Sequence, residues 1–273
     1  MLSQSFNTGW NIKEGFSQPF TNLFSKEQNL GTPVTLPHDA MILEKKTPDT
    51  KNGKQTGYYP GKSYLYTKMF YVPDDWMDKN IVLEFEGVYP SALVYINGDF
   101  AGSHHSGYSQ FTIQADGFLI PGQENKIEVA ADNSCEANTR WYSGSGIYRN
   151  VNINISEKIY NPVDGLQIDT PEIDADTAVL CIKTKLCNET LRTHDLIQST
   201  EILDADGKIV NSEKTVVTAY PGKNVQTLQR IPVWDPQLWD CDAPYLYTCR
   251  TRFMEGDTIL DEAVTTLGIR KMQ

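Results

Sequence analysis

No apolar run in these 273 residues approaches the ~18 to 20 that a membrane-spanning helix needs. The first ten residues lack the basic-then-apolar pattern of a signal peptide. A soluble protein is expected, its compartment left open between cytoplasm and, after loss of a signal peptide, periplasm or exterior. Cysteine is scarce: Cys135, Cys181, Cys187, Cys241 and Cys249 are odd in number and include no CxxC pair. That excludes a zinc-ribbon or disulfide framework and leaves scattered reduced thiols. Positive charge is in deficit, with 24 Lys and Arg against 35 Asp and Glu for a net charge of -11. Affinity for phosphate backbones comes from clustered cations, so nucleic acid is excluded as a partner and a neutral ligand such as a sugar fits better.

Catalytic motifs are equally sparse. No Gly-x-Ser-x-Gly elbow, Walker loop or His-Glu-x-x-His is present. Ser143-Gly144-Ser145-Gly146 has the composition of a phosphate cradle, but residues 147–155 alternate like a strand where a phosphate loop would open a helix. It reads as a tight turn whose glycines allow close backbone approach. His104 and His105 are adjacent, and neighbours on a strand face opposite ways, so they do not share a metal. His38 and His194 are isolated. No metal site and no cofactor is expected.

Helical periodicity is hard to find. Short alternating or β-branched runs bounded by Gly, Pro, Asn and Asp recur throughout, so the chain reads as all-β. In the first half, strands are predicted at residues 64–72, 81–85, 92–96, 111–113, 126–131 and 151–155. Asn97-Gly98 between two apolar runs predicts a type I′ hairpin turn. Residues 41–56, rich in Lys, Thr, Asp and Asn, read as a surface loop, and residues 159–165, with Asn161-Pro162 and no alternation, as a linker. Beyond it, about seven short strands, at 179–186, 201–203, 208–210, 215–218, 226–231, 245–253 and 258–266, give the pattern of an immunoglobulin-like sandwich. Asp204-Ala205-Asp206-Gly207 starts like a calcium loop, but the downstream Glu and flanking helices are missing, so a plain hairpin turn is expected.

Four ordered stretches carry a family resemblance. The first is Leu36-Pro37-His38-Asp39 followed by Thr56-Gly57-Tyr58-Tyr59-Pro60-Gly61 and Tyr64-Leu65-Tyr66-Thr67-Lys68. The second is Val94-Tyr95-Ile96-Asn97-Gly98 with Gly102 and Gly107-Tyr108. The third and most specific is Thr139-Arg140-Trp141-Tyr142-Ser143-Gly144-Ser145-Gly146-Ile147-Tyr148-Arg149-Asn150-Val151. The last joins Pro236-Gln237-Leu238-Trp239, Ala243-Pro244-Tyr245-Leu246-Tyr247 and Leu267-Gly268-Ile269-Arg270. Together they resemble the front part of family 2 glycoside hydrolases, and the Ser-Gly-Ser-Gly-Ile-Tyr-Arg-Asn-Val form looks most like β-galactosidases, ahead of β-glucuronidases and β-mannosidases.

The resemblance implies a jelly-roll β-sandwich of galactose-binding type at 1–160 and an immunoglobulin-like β-sandwich at 161–273. A catalytic (β/α)₈ barrel of ~250 residues would follow; only Lys271, Met272 and Gln273 remain after Arg270, so the barrel is expected to be absent here. Both catalytic glutamates of the family lie in that barrel. No catalytic residue is therefore assigned, and the chain alone is expected to be inactive. The same resemblance implies a β-galactoside substrate, the missing barrel as partner and a possible homo-oligomer. It also places Arg140, Trp141 and Asp39 toward the substrate. Many relatives resemble one another in carrying Asp where this chain has Arg140, whose guanidinium either donates a fork of hydrogen bonds to sugar hydroxyls or stacks at the surface on Trp141 or Tyr142. Trp141 is expected to pack beneath the loop, and Asp39 either faces the barrel or caps a turn. The alternative from another class is a stand-alone carbohydrate-binding or adhesion module, with Tyr58, Tyr59 and Trp141 stacking on sugar rings.

Overall fold

The computed structural model describes residues 1–15, 30–51, 53–134, 142–174 and 176–270. The chain divides into two compact units, Leu2–Ile155 and Ser156 onward, with Met1 grouped in the latter. No helix among the described residues is long and apolar enough to cross a membrane.

The first unit is a jelly-roll sandwich with ten strands among the described residues: β1 Leu2–Ser5, β2 Trp10–Glu14, β3 Thr32–Val34, β4 Ser63–Val72, β5 Asn80–Phe85, β6 Ala92–Ile96, β7 Asp99–His104, β8 Phe111–Gln114, β9 Gln123–Asp132 and β10 Val151–Ser156. One sheet runs β1-β10-β5-β8 and the other β3-β2-β4-β9-β6-β7. Alternation decides which face is inward. In β9, Ile127, Val129 and Ala131 are fully buried and meet Trp10, Tyr66, Leu83, Phe85 and Ile153 from both sheets. The buried Val, Leu, Ile and Phe side chains each contribute about 1.5–3 kcal/mol by leaving water.

The Asn97-Gly98 turn is as expected: Asn97 has φ 53 and Gly98 φ 92, and they join β6 to β7 with Ile96 opposite Asp99. Two expectations are corrected. Residues 41–56 are not an open loop throughout. They begin in a short 3-10 helix, Ala40–Leu43, whose Met41 is fully buried, and end in another, Gly53–Thr56. Residues 143–146 form no turn; Ser145 and Gly146 hydrogen-bond to the backbones of Ala40 and Tyr89, and the strand after them starts at Val151.

The second unit is an immunoglobulin-like sandwich. Its strands are β11 Ile159–Tyr160, β12 Leu166–Ile173, β13 Thr177–Asn188, β14 His194–Leu203, β15 Ile209–Ala219, β16 Lys223–Trp234, β17 Tyr247–Glu255 and β18 Thr258–Leu267. β13 pairs with β11, β12 and β16, and the facing sheet is ordered β15-β14-β17-β18. The stretch read as a linker thus holds a short strand, β11. Asp204-Ala205-Asp206-Gly207 is a turn closed by Asp204 itself, whose Oδ1 accepts from Asp206 N at 3.0 Å and Lys208 N at 2.9 Å. At the far end Trp239 N donates to Ile269 O at 2.8 Å, and a Cβ on Gly268 would lie 2.7 Å from the Trp239 ring. The four described cysteines, Cys181, Cys187, Cys241 and Cys249, are free thiols.

A polar belt crosses the middle of this sandwich. Along β13 the inward residues run Leu180, Ile182, Thr184, Leu186, and along β14 Leu196, Gln198, Thr200, Ile202. The apolar ones fall into two separate clusters, one around Leu180, Ile202 and Ile231, the other around Leu186, Leu196 and Phe253. Between them Gln198 Nε2 donates to Thr184 Oγ1 at 3.1 Å and to Gln229 Oε1 at 2.9 Å, while its Oε1 accepts from Thr227 Oγ1 at 2.5 Å. Gln229 Nε2 donates onward to Thr215 Oγ1 at 3.0 Å, and Thr200 and Thr251 pair at 3.0 Å. Gln198 and Gln229 are fully buried, so each lost partner leaves a desolvated polar atom. Gln198→Leu is therefore expected to destabilise this unit by roughly 2–4 kcal/mol in urea unfolding. A change below about 0.5 kcal/mol would show that apolar packing replaces the belt without penalty.

Candidate functional site

The site is built on β4 and two loops that lie against it. Tyr64 and Tyr66 are two apart on one strand and so share a face, both buried. Tyr64 Oη donates to Glu44 Oε1 at 3.2 Å, and Lys62 Nζ bridges Glu44 and Glu14 at 2.9 and 2.8 Å. Tyr66 Oη lies 2.9 Å from His38 Nδ1, the rings meeting edge to face.

Residues 38–40 and 145–147 form a short ladder: His38 N donates to Ile147 O and Ala40 N to Ser145 O, both at 2.8 Å. On its other side Gly146 exchanges backbone hydrogen bonds with Tyr89, both at 2.9 Å. Gly146 has φ 117, and a Cβ there would sit 2.1 Å from Tyr66 Oη. Only glycine fits between Tyr66 and the two flanking backbones.

Asp39 fastens this arrangement. Its Oδ1 accepts from Met41 N at 3.0 Å, capping the short helix Ala40–Leu43, and from Ser145 N at 2.9 Å. Its Oδ2 accepts from the Tyr142 hydroxyl. Gly144, at φ 75, brings its Cα beneath the same carboxylate; a Cβ there would lie 3.1 Å from Oδ2. Tyr142 in turn meets Tyr59 edge to face at 5.0 Å, and Lys46 Nζ lies 5.2 Å from the centre of the Tyr59 ring.

Charge in the site is held on few groups. Burial pushes the Tyr142 phenol above its ordinary range, and its bond to the Asp39 carboxylate pushes the same way. Burial also raises Tyr66, with Asp39 adding to it, and lowers His38 despite the opposing pull of Asp39. Both phenols and the imidazole are thus neutral at pH 7. Ser143 Oγ and Ser145 Oγ are buried with no hydrogen-bond partner among the described residues. Among the described residues no three His, Cys, Asp or Glu side chains are grouped to hold a metal. The ensemble offers neutral donors, acceptors and aromatic edges, which suits holding a polyhydroxylated ligand better than activating a nucleophile.

Of the three residues expected toward a substrate, Asp39 is at the centre of the site, with three of the roughly four lone-pair positions of its carboxylate taken by the protein itself. Arg140 and Trp141 lie outside the described residues; they immediately precede Tyr142 in the chain. Tyr142, Ser145 and Tyr66 were not singled out as site residues from the sequence. The only signal for them was their place inside the motifs at 139–151 and 64–68.

Comparisons with known proteins agree with this architecture. The family model described as glycosyl hydrolase 2 galactose-binding domain-like matches residues 24–162, and that of glycosyl hydrolases family 2 matches residues 161–270. A β-galactosidase of Bacteroides ovatus is 35% identical over 87% of this chain and 28% of its own length. A β-glucuronidase of Formosa agariphila is 27% identical over 81% of this chain and 25% of its own length. A solved family 2 glycosyl hydrolase from Bacteroides cellulosilyticus superposes with a TM-score of 0.91 at 29% identity, over 99% of this chain and 35% of that one. The chain thus spans about a quarter to a third of the length of the relatives it matches. With both family models falling on it in order and together reaching from residue 24 to residue 270, the chain belongs to the family 2 glycosyl hydrolases.

Proposed function

We propose that this chain is the non-catalytic front of a β-galactosidase, organised as a sugar-binding jelly roll at 1–160 and an immunoglobulin-like domain at 161–273. The parent is a retaining exo-β-glycosidase whose two carboxylates, one protonating the leaving oxygen and one attacking the anomeric carbon, are carried by a barrel elsewhere in the polypeptide. Within the front part, Arg140 donates hydrogen bonds to hydroxyls of the terminal galactose, Trp141 supports the loop and Asp39 positions it. The observation that carries this reading is the hold of the Asp39 carboxylate on Tyr142 and Ser145, which anchors the segment that follows Arg140 and Trp141 directly.

A β-glucuronidase parent is the second reading, favoured by the Formosa agariphila relative of that name. The ratio of kcat/KM for nitrophenyl β-galactoside and nitrophenyl β-glucuronide, measured on the full-length parent, decides between them. A higher value for the galactoside is expected, and preference for the glucuronide overturns the first reading. The 273-residue chain by itself is expected to hydrolyse neither compound; turnover by a pure sample would place catalytic carboxylates within it.

In the full-length parent, Arg140→Ala is expected to lower kcat/KM by about 5- to 150-fold, the equivalent of ~1–3 kcal/mol for a lost hydrogen bond from a charged donor. Unchanged kinetics would place Arg140 away from the sugar. Tyr142→Phe removes only the hydroxyl that Asp39 holds. Its expected effect is a smaller fall in kcat/KM, about 3- to 10-fold, with the melting temperature within a few degrees of the parent. An unaltered kcat/KM would separate the Asp39 anchor from sugar binding.

A further inference from the structure

Among the described residues, four that are not glycine have a positive φ: Asn97 at 53, Asp164 at 60, Asp235 at 47 and Tyr58 at 67. Asn and Asp carry short polar side chains that tolerate this region. Tyr58 is the outlier, because a bulky side chain there is strained.

The turn that holds Tyr58 does not itself require the strain. The short helix Gly53–Thr56 closes with Gly57 N donating to Lys54 O at 3.3 Å and Tyr58 N to Gly53 O at 2.9 Å. Such a closure takes one left-handed residue, and Gly57 supplies it at φ 64. The surroundings then fix Tyr58 as well: its carbonyl accepts from Thr47 N at 2.9 Å, and Thr56 Oγ1 donates to Tyr59 O at 2.8 Å. The ring gains nothing from the fold in return. It is 46% exposed, and the side chain makes no hydrogen bond or ring contact among the described residues. Its neighbour Tyr59 is the ring that packs against Tyr142, which Asp39 holds. An unfavourable backbone that presents an unused aromatic ring beside the candidate site is strain kept for a ligand.

We propose that Tyr58 determines specificity for the leaving group, its ring stacking on the apolar face of the second sugar of a β-galactoside, beyond the bond that is cut. This rests on the glycosidase reading above, which gives the terminal sugar to Arg140. Arg140 stands two residues before Tyr142 in the chain, Tyr142 meets Tyr59, and Tyr58 follows Tyr59. A platform at the end of that series falls to the next ring of the substrate. Tyrosine suits the task, since it offers a large rigid surface with few torsions to freeze. In double displacement the leaving group is present in the first step and gone in the second. Contacts from Tyr58 therefore act on kcat/KM, which reports the steps up to loss of that group.

The full-length parent is assayed with lactose, with nitrophenyl β-galactoside and with β-galactosyl fluoride, whose leaving group has no ring. Tyr58→Asn removes the ring and installs a residue that accepts the backbone. It is expected to lower the ratio of kcat/KM for lactose to that for the fluoride about 3- to 10-fold. Tyr58→Phe keeps the ring and is expected to hold the ratio within about twofold of the parent's. In the 273-residue chain, Tyr58→Asn is expected to raise the melting temperature by roughly 2–4 °C as the strain is relieved. An unchanged lactose-to-fluoride ratio overturns the proposal. A ratio that falls for nitrophenyl β-galactoside alone puts an aryl group on the ring and overturns the sugar as its ligand. A lower melting temperature shows that the ring supports the fold and overturns the argument from strain. A parent that cleaves only the corresponding glucuronides overturns the galactosidase reading by itself, and the same ratio taken with a glucuronyl disaccharide and glucuronyl fluoride then decides for or against Tyr58. A parent that cleaves none of these compounds overturns both.

Discussion

The Asp39 carboxylate is the interaction on which the candidate site depends. It collects donors from residues 41, 142 and 145, segments about a hundred positions apart in the chain. Backbone donors turned inward need an acceptor, and an ionised carboxylate is a strong one, each such bond being worth about 1.5–3 kcal/mol before solvent screening reduces it. The loop it holds is costly to order: Gly144 and Gly146 both sit at positive φ, and glycine loses more backbone freedom on folding than any other residue. Removing the acceptor would orphan two backbone amides and free the glycines together. Asp39 thus fixes Tyr142 and Ser145 beside the backbone ladder that holds Ser145, Gly146 and Ile147.

The same rule operates in the second unit to a different end. There the buried polar atoms satisfy one another, through Gln198, Gln229, Thr184, Thr227 and Thr215. Slipping β14 by one residue would turn Gln198 and Thr200 outward; slipping it by two would set Leu196 or Ile202 against the belt. Either error strands a desolvated amide, so the belt fixes register in a way that two aliphatic clusters alone would not. Register on the inner face dictates register on the outer one. Val216 and Ile197 stand opposite each other outside because Thr215 and Gln198 do so inside.

Strands with strong alternation or a diagnostic turn were legible in the sequence, and β4, β6, β9 and the Asn97-Gly98 hairpin are where they were expected. β1 was not, because all four of its residues are exposed and carry no apolar period. β12 was not either: it pairs on one side only, contains Pro171 and shifts register near it, which breaks alternation. Met41 was hidden by composition, since it heads a mostly polar stretch in which its apolar neighbours Ile42 and Leu43 are exposed. The family motifs placed Asp39 and the 139–151 segment near function. That the two are bonded was not readable, because no periodicity links residues 103 positions apart.

On the proposed galactosidase reading, the preference for a neutral sugar has an electrostatic argument. Burial keeps the phenols of Tyr66 and Tyr142 and the imidazole of His38 uncharged, so the charges of the site are the Asp39 carboxylate, Lys46 and the Lys62, Glu44 and Glu14 group. A glucuronide would bring a further carboxylate toward that of Asp39, inside the ~8 Å over which physiological salt screens poorly. The chain as a whole, at -11, adds a field of the same sign. On that reading a galactoside needs no compensation, whereas the carboxylate of a glucuronide would have to be neutralised.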